Sequence, residues 1–378
     1  MKIAVVLGTR PEAIKMCPVI HALRGREGVT VRVILSGQHR ELAQDVLAEF
    51  SVTSDADLAV MRKGQGVLDV TQAVLAALPP VLLREAPDAV LVHGDTSTAF
   101  AAATAAFSLG IPVGHVEAGL RTYCHTRPFP EEFNRRAIAA AATLHFAPTR
   151  AAKENLLREG VEARCVYCVG NTVVDALRYT VRADWQSPLL PVTPRFLLFT
   201  CHRRETEEGE LCGLFRAISR LAGAFSDLTV LYPVHPRVAA HAHRELAGAE
   251  RVVLLPPLDT VSCHNLMARA TLILTDSGGM QEEACALGIP TLVLRRETER
   301  PEGVETGVLR LVGTDGEGVF REAAELLASP LAYAAMRGGK NPYGDGRAAE
   351  RIADILVREI GARDTRVPPF SVLQEDRA

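Results

Sequence analysis

The sequence predicts an α/β protein built from two doubly wound parallel-sheet domains, and three observations carry that expectation. Short aliphatic runs alternate with helical patterns along nearly the whole chain. Alanine is abundant while aromatics are only 5%, with one tryptophan, which suits aliphatic strands and alanine-rich helices better than an all-β sandwich. A length of 378 residues corresponds to about two domains of roughly 100–200 residues each. Two such sheets facing one another would open a central cleft at the carboxyl ends of both strand sets.

The elements follow in order. Residues 2–7 read as a buried strand and residues 11–23 as a helix, with Pro11 suited to a first turn. A strand at 31–36 leads to a helix at 40–50. The apolar run 89–93 ends in Gly94-Asp95 and precedes an alanine-rich helix at 97–109. Residues 113–117 form the next strand, and a helix runs from about 131 to 142. Residues 165–169 read as a strand in which Cys165 and Cys168 are two small buried residues, not a redox motif. The domain boundary falls near Gly170-Asn171, giving domains at 1–170 and 171–360. A helix at 173–181 and the proline-bearing stretch 187–194 form the connection between them. The alternation then restarts, with strands at 196–201, 229–232, 252–255, 272–275 and 291–294 and helices at 211–224, 281–287 and 347–360. The tail, 361–378, reads as loosely ordered.

Hydrophobic residues at 48%, charged residues at 23% and a net charge of −3 exclude a disordered chain and give no support to a nucleic-acid binder. No apolar run approaches the roughly 18 residues of a membrane span, and the N-terminal run is too short for a signal peptide, so a cytoplasmic protein without membrane contacts is expected. The eight cysteines are scattered and show no zinc-ligand spacing.

Charged and small residues gather where strands end, which is where open α/β sheets bind ligands. Gly8-Thr-Arg-Pro-Glu12 follows the first strand, with Lys15 a turn later; Gly94-Asp95 and Glu117 follow two others. Asp95, Glu117 and Glu131 each read singly as a surface or capping carboxylate, but three acids at strand ends raise the case for acid/base work in a cleft. Arg135 shares a helix face with Glu131. Ser277-Gly278-Gly279 lies between a strand and a helix start, where backbone N–H groups attract phosphate oxygens, and Arg300 is a cationic partner for a diphosphate. Neither a dinucleotide-binding glycine fingerprint nor a P-loop is present, so no nicotinamide cofactor is expected. His202 reads as a ligand contact or a structural histidine. His235 is a weaker candidate, and His241 and His243 sit on a polar stretch and read as solvated.

In combination these motifs resemble those of the non-hydrolysing UDP-N-acetylglucosamine 2-epimerase family. The resemblance rests on Gly8-Thr-Arg-Pro-Glu12 with Lys15, Ser36-Gly-Gln-His-Arg40, His93-Gly-Asp-Thr96 and Gly114-His-Val-Glu-Ala-Gly-Leu-Arg121. It continues through Pro128-Phe-Pro-Glu-Glu132, Gly170-Asn-Thr-Val173, His202-Arg-Arg-Glu205, Tyr232-Pro-Val-His-Pro236, Thr275-Asp-Ser-Gly-Gly279 with Gln281-Glu-Glu283, and Glu299-Arg-Pro-Glu302. It implies a GT-B-like fold of two Rossmann-like domains with the active site between them, usually as a homodimer. It also implies interconversion of UDP-N-acetylglucosamine and UDP-N-acetylmannosamine through 2-acetamidoglucal, with no nicotinamide and no metal. By position, Asp95, Glu117 and Glu131 would handle the C2 proton, with Arg135 beside them. Arg10, Lys15 and His202 would stabilise the departing diphosphate, and Ser277, Gly278, Gly279, Glu283 and Arg300 would bind UDP.

The sequence departs from the family pattern at three places. Cys263 stands where a phenylalanine often flanks the uracil, near Leu258, which lines the base. Thr206 replaces a usual asparagine, and Cys124-His-Thr-Arg127 replaces a serine-bearing loop. Gln38, Glu131 and His235 match residues that line a second, activating UDP-N-acetylglucosamine site in some bacterial members, but an arginine used there falls on Gly64. A hydrolysing 2-epimerase, a GT-B glycosyltransferase using a UDP-sugar and a non-catalytic nucleotide-sugar sensor are the competing readings.

Overall fold

A computed structural model describes residues 1–62, 64–126, 128–201 and 208–361. The described residues divide into two compact units: Met1–Ala176 together with residues 344–361, and Leu177–Tyr343.

In the first unit the described residues form seven parallel strands: β1 (Lys2–Leu7), β2 (Thr30–Leu35), β3 (Ala56–Asp57), β4 (Ala89–His93), β5 (Val113–Val116), β6 (Leu144–Ala147) and β7 (Val166–Cys168). Their order is β3-β2-β1-β4-β5-β6-β7. Ile3 through Leu7 are wholly buried, as a central parallel strand covered by helices on both faces requires. Helix Ser97–Ser108 packs six buried alanines, and Thr96 caps it by accepting from the Ala99 N–H at 3.0 Å. The order reverses between β1 and β4, so the loops after those strands flank a topological switch point.

The second unit repeats the plan with β8 (Arg195–Thr200), β9 (Leu228–Pro233), β10 (Val252–Leu255), β11 (Leu272–Thr275), β12 (Thr291–Val293) and β13 (Leu309–Leu311). The order β10-β9-β8-β11-β12-β13 is again parallel and reverses between β8 and β11. Each half is thus a doubly wound α/β unit of the Rossmann type.

Several expectations change. The exchange between units falls inside helix Thr172–Thr180, not at Gly170. The stretch 187–194 lies within the second unit, where Leu189 and Leu190 pack on its core with Trp185. The last helix, Ala348–Gly361, belongs to the first unit and not to the second. Its stripe Ile352, Leu356 and Ile360 joins the core beside β1, and Asp175 accepts from the Ala348 and Ala349 N–H groups at 3.2 and 2.9 Å. The Cys165–Cys168 pair is not buried: Cys165 sits in a 3₁₀ turn, and Cys168 is exposed because β7 is a three-residue edge strand.

Among the described residues one helix, Val67–Glu85, has the length and mean hydropathy (1.4) of a membrane span. Its Val70, Val74, Leu78 and Leu82 pack into the same core cluster as the alanine-rich helix, as a layer helix of an α/β unit does.

Candidate active site

The loops after β1 and β4 are joined through one buried carboxylate. Glu12, in the first turn of helix Arg10–Arg24, accepts from the Gly8 and Thr9 N–H groups at 3.0 and 2.7 Å and from the Thr9 and Thr96 hydroxyls at 2.8 Å each. Burial pushes its carboxyl up to about 7 against the pull of those four donors. Gly8 is required here, because a Cβ would lie 2.3 Å from Thr98 Oγ1. Glu12 thereby ties the start of the helix that carries Arg10 and Lys15 to the loop that carries Asp95 and Thr96.

Glu117 follows β5 with φ of 62°, a left-handed conformation that costs a non-glycine residue about 1–2 kcal/mol. The turn aims the carboxylate at a buried cluster. Lys15 Nζ forms a short ion pair with it, Asn171 Nδ2 donates at 3.3 Å, and His93 Nε2 lies 3.6 Å away. Lys15 and Glu117 keep only 7% and 10% of their side-chain surface exposed, so this pair is little screened by water. Asp95 forms a second short pair with Arg135, and Asn134 Nδ2 donates to the Asp95 carbonyl at 2.8 Å. Glu132, wholly buried, lies 3.5 Å from Arg135 and accepts from the Thr122 and Tyr123 N–H groups at 3.0 Å each. Glu131 opens the same helix, Glu131–Ala141. The fold therefore places Arg10, Lys15, Asp95, Glu117, Glu131 and Arg135 on three neighbouring strand-end segments and the adjoining helix starts of the first unit. His202 lies outside the described residues.

Residues without a role in the sequence reading complete the cluster. Glu12, Asn171 and Glu132 sit in the quoted motifs, but only their partners reveal what they do. His93 ends β4, and its Nε2 has no hydrogen-bond partner among the described residues. Burial drives His93 down to about 4 and His145 to about 4, and His115, which shares a hydrogen bond with the Gly94 carbonyl at 2.7 Å, to about 3. These folded-state values lie below the ordinary 6.5, so the unfolded chain takes up the protons first. Their contribution to stability is full above pH 6.5 and is lost as pH falls from there toward 4. Scanning calorimetry is expected to show Tm dropping steeply across that window; a flat Tm would mean that the histidines are already charged in the folded protein.

In the second unit Ser277 stands at the N-cap position of helix Gly278–Leu287 without a side-chain capping hydrogen bond, and the helix's first N–H groups have no intrahelical acceptor. The Arg300 guanidinium lies over Gly278, where a Cβ would stand 2.7 Å from its NH1. Glu282 accepts from Arg300 Nε at 2.8 Å and Glu299 from NH1 at 3.4 Å. Burial opposes the charge on Glu299, but the Arg295 hydrogen bond and the flanking guanidinium groups hold its carboxyl at about 2. Glu283 lies 3.4 Å from His264 Nε2, and His264 follows Cys263 on helix Thr260–Arg269. Leu258 and Cys263 pack against the same core cluster. The glycine turn, the cation, Glu283 and the Cys263 helix thus form one constellation.

Gln38 lies in the first unit, where it accepts from Thr98 Oγ1 at 2.8 Å beside Gly8. His235, in the second unit, caps its own turn by accepting from the Arg237 N–H at 3.2 Å. Gly64 has φ of 84°, a conformation that would strain an arginine in its place. His241 is not solvated as its sequence context implied: its side chain is 12% exposed and contacts Cys212 and Glu208.

The family model for UDP-N-acetylglucosamine 2-epimerase matches residues 21–357. A Bacillus subtilis (strain 168) protein named UDP-N-acetylglucosamine 2-epimerase is 45% identical over 375 residues, covering 98% of this chain and 99% of its own. The Salmonella typhimurium protein of the same name is 44% identical, over 94% of this chain and 98% of its own. Among solved structures, the Neisseria meningitidis UDP-GlcNAc 2-epimerase bound to UDP-GlcNAc superposes with a TM-score of 0.88 at 39% identity, covering 95% of this chain and 100% of that one. The S. aureus MnaA–UDP co-structure gives 0.90 at 42%, covering 98% and 99%. The glycotransferase of kitacinnamycin, at 15% identity and a TM-score of 0.66, shares the fold. A carboxylate cluster and a glycine turn at a helix start on two doubly wound units, with near full-length identity of this order, have one consequence: the chain belongs to the UDP-N-acetylglucosamine 2-epimerase family.

Proposed function

We propose that the protein interconverts UDP-N-acetylglucosamine and UDP-N-acetylmannosamine without hydrolysis, by eliminating UDP to 2-acetamidoglucal and adding it back. The observation that carries this reading is Glu117, held in a strained turn with Lys15 against its carboxylate and Asp95–Arg135 on the next strand end. C2 of the sugar is not strongly acidic, so a carboxylate alone would remove its proton slowly. Breaking the C1–O bond to UDP as the proton leaves requires cations on the diphosphate. Lys15 and Arg10 supply them, with His202 beside them in the family pattern. Diphosphate binding draws the Lys15 ammonium from Glu117 and so raises the basicity of that carboxylate.

Asp95, Glu117 and Glu131 share the acid and base roles, and Arg135 pairs with Asp95. Ser277, Gly278, Gly279 and Arg300 grip the diphosphate, Glu283 takes the ribose hydroxyls, and Leu258 and Cys263 line the uracil end. The reaction needs no nicotinamide or metal. We further propose a cytoplasmic homodimer that supplies cell-surface polysaccharide synthesis. Leu68, Leu83 and Phe107, on two helices of the first unit that pack on each other, are exposed at 77%, 65% and 63% and are available to be covered in such a dimer. Gln38 and His235 are assigned to a second UDP-N-acetylglucosamine site, with activation weakened by glycine at position 64.

Proton NMR of UDP-N-acetylglucosamine with the enzyme in deuterated water tests the reading. Both epimers should gain deuterium at C2 with no NAD added. Retention of the C2 proton would replace elimination with an internal hydride shift, and accumulation of free N-acetylmannosamine with UDP would make the enzyme hydrolysing.

A further inference from the structure

Three side chains outside the machinery above converge on one point of the second unit. Cys212 lies on the first turns of helix Glu208–Ala224, while His241 and Glu245 are one turn apart on helix Ala239–Glu245 and share a face. Their ligating atoms, a thiol sulfur, an imidazole nitrogen and a carboxylate oxygen, all lie within 4.8 Å of one another. Cys212 Sγ is 3.2 Å from His241 Nε2, and Glu208 Oε1 is 3.3 Å from Nδ1 of the same ring. Phe215 packs edge-on against that ring, with centroids 5.5 Å apart, which fixes its plane. Arg244, 3.4 Å from Glu245 and 3.6 Å from Glu208, balances the two carboxylates at the rim.

We propose that Cys212, His241 and Glu245 bind one divalent transition-metal ion of the zinc class. A thiolate with an imidazole selects a borderline-soft ion over magnesium or calcium, which take oxygen ligands. Bonds of about 2.3 Å to sulfur and about 2.0 Å to nitrogen in a tetrahedron set those two atoms roughly 3.5 Å apart, close to the spacing already present. Glu208 accepts the Nδ1 proton and leaves the Nε2 lone pair directed at the ion, the carboxylate–histidine–metal arrangement that orients such ligands. On binding, the Cys212 S–H proton passes to solvent and a sulfur–metal bond replaces it; His241 supplies a lone pair, Glu245 a carboxylate oxygen, and water the fourth ligand, with no change of oxidation state. The ion clips the two helices together and takes no part in the epimerisation.

Titration of the reduced, chelator-treated full-length protein with Co²⁺ tests the site. One Co²⁺ per chain is expected, with a thiolate-to-cobalt charge-transfer band that added Zn²⁺ abolishes. Cys212→Ser should remove the band, and Glu245→Gln should weaken binding while keeping it. Glu208→Gln should lower affinity by about 10- to 100-fold with the band retained, as for the outer partner of a metal-bound histidine. Cys168→Ser, at the exposed cysteine of the other unit, should change nothing. If Cys212→Ser does not fold, protection of Cys212 from alkylation by Zn²⁺ in the wild type, read by peptide mass mapping, decides instead. No band, a band that survives Cys212→Ser, or no protection of Cys212 would overturn the proposal and leave a hydrogen-bonded surface cluster.

Discussion

Replacing Glu117 with glutamine is expected to cut turnover by about 100-fold or more while leaving the affinity for UDP nearly unchanged, the pattern of a lost general acid or base. Glutamine keeps the shape of the side chain and pays the same left-handed backbone cost, so the turn after β5 should persist. What disappears is the negative charge that Lys15 contacts and that a C2 proton would need. Lys15 then has no competing carboxylate and binds diphosphate at least as well as before. Steady-state kinetics for kcat and KM, with calorimetry for UDP, separate the two effects. Asp95→Asn should behave similarly, with the added loss of the Arg135 pair. Near wild-type turnover in both variants would move proton handling to other groups.

The largest effect on stability is expected at Glu12. Glu12→Ala removes the acceptor for two backbone N–H groups and two hydroxyls in a buried loop. The hydroxyls can rotate toward other acceptors, but the Gly8 and Thr9 amides cannot, so the loss should be about 3 kcal/mol. Glu12→Gln keeps one oxygen for those amides and turns its NH₂ toward Thr96, and should cost about 1 kcal/mol. Urea unfolding, with m compared alongside the midpoint, reads both. The pH dependence supplies a second signature. The folded-state value of about 7 lies above the ordinary 4.5, so the folded chain holds the proton longer than the unfolded one. Glu12 therefore favours folding at low pH and loses that contribution as pH rises from 4.5 to about 7, opposite in sign to the buried histidines. In Glu12→Gln this component should vanish and the acid lability due to His93, His115 and His145 should steepen.

Much of this protein was legible in its sequence. Strands such as Lys2–Leu7, Ala89–His93 and Leu272–Thr275 announce themselves because a parallel strand buried on both faces must be a short continuous apolar run. The location of the candidate site was legible for a related reason: in an open α/β sheet polar and glycine residues at strand ends mark the switch point, and Gly8, Gly94, Ser277 and Gly278 all sit there.

The tertiary structure decided the rest. Leu144–Ala147 carries a histidine in a four-residue run, and only its place between β5 and β7 explains why that side chain is buried and neutral. The last helix returns to the first unit because its apolar stripe finds a complementary face beside β1, more than 300 residues away, which no local pattern encodes. In the sequence Glu12 was only the end of a strand-end motif, Cys212 one of eight scattered cysteines and His241 a solvated residue 29 positions further on. Their roles follow from what faces them. Secondary structure and strand-end chemistry are properties of short segments and survive in the one-dimensional pattern, whereas partners, burial and charge state depend on which distant segments pack together.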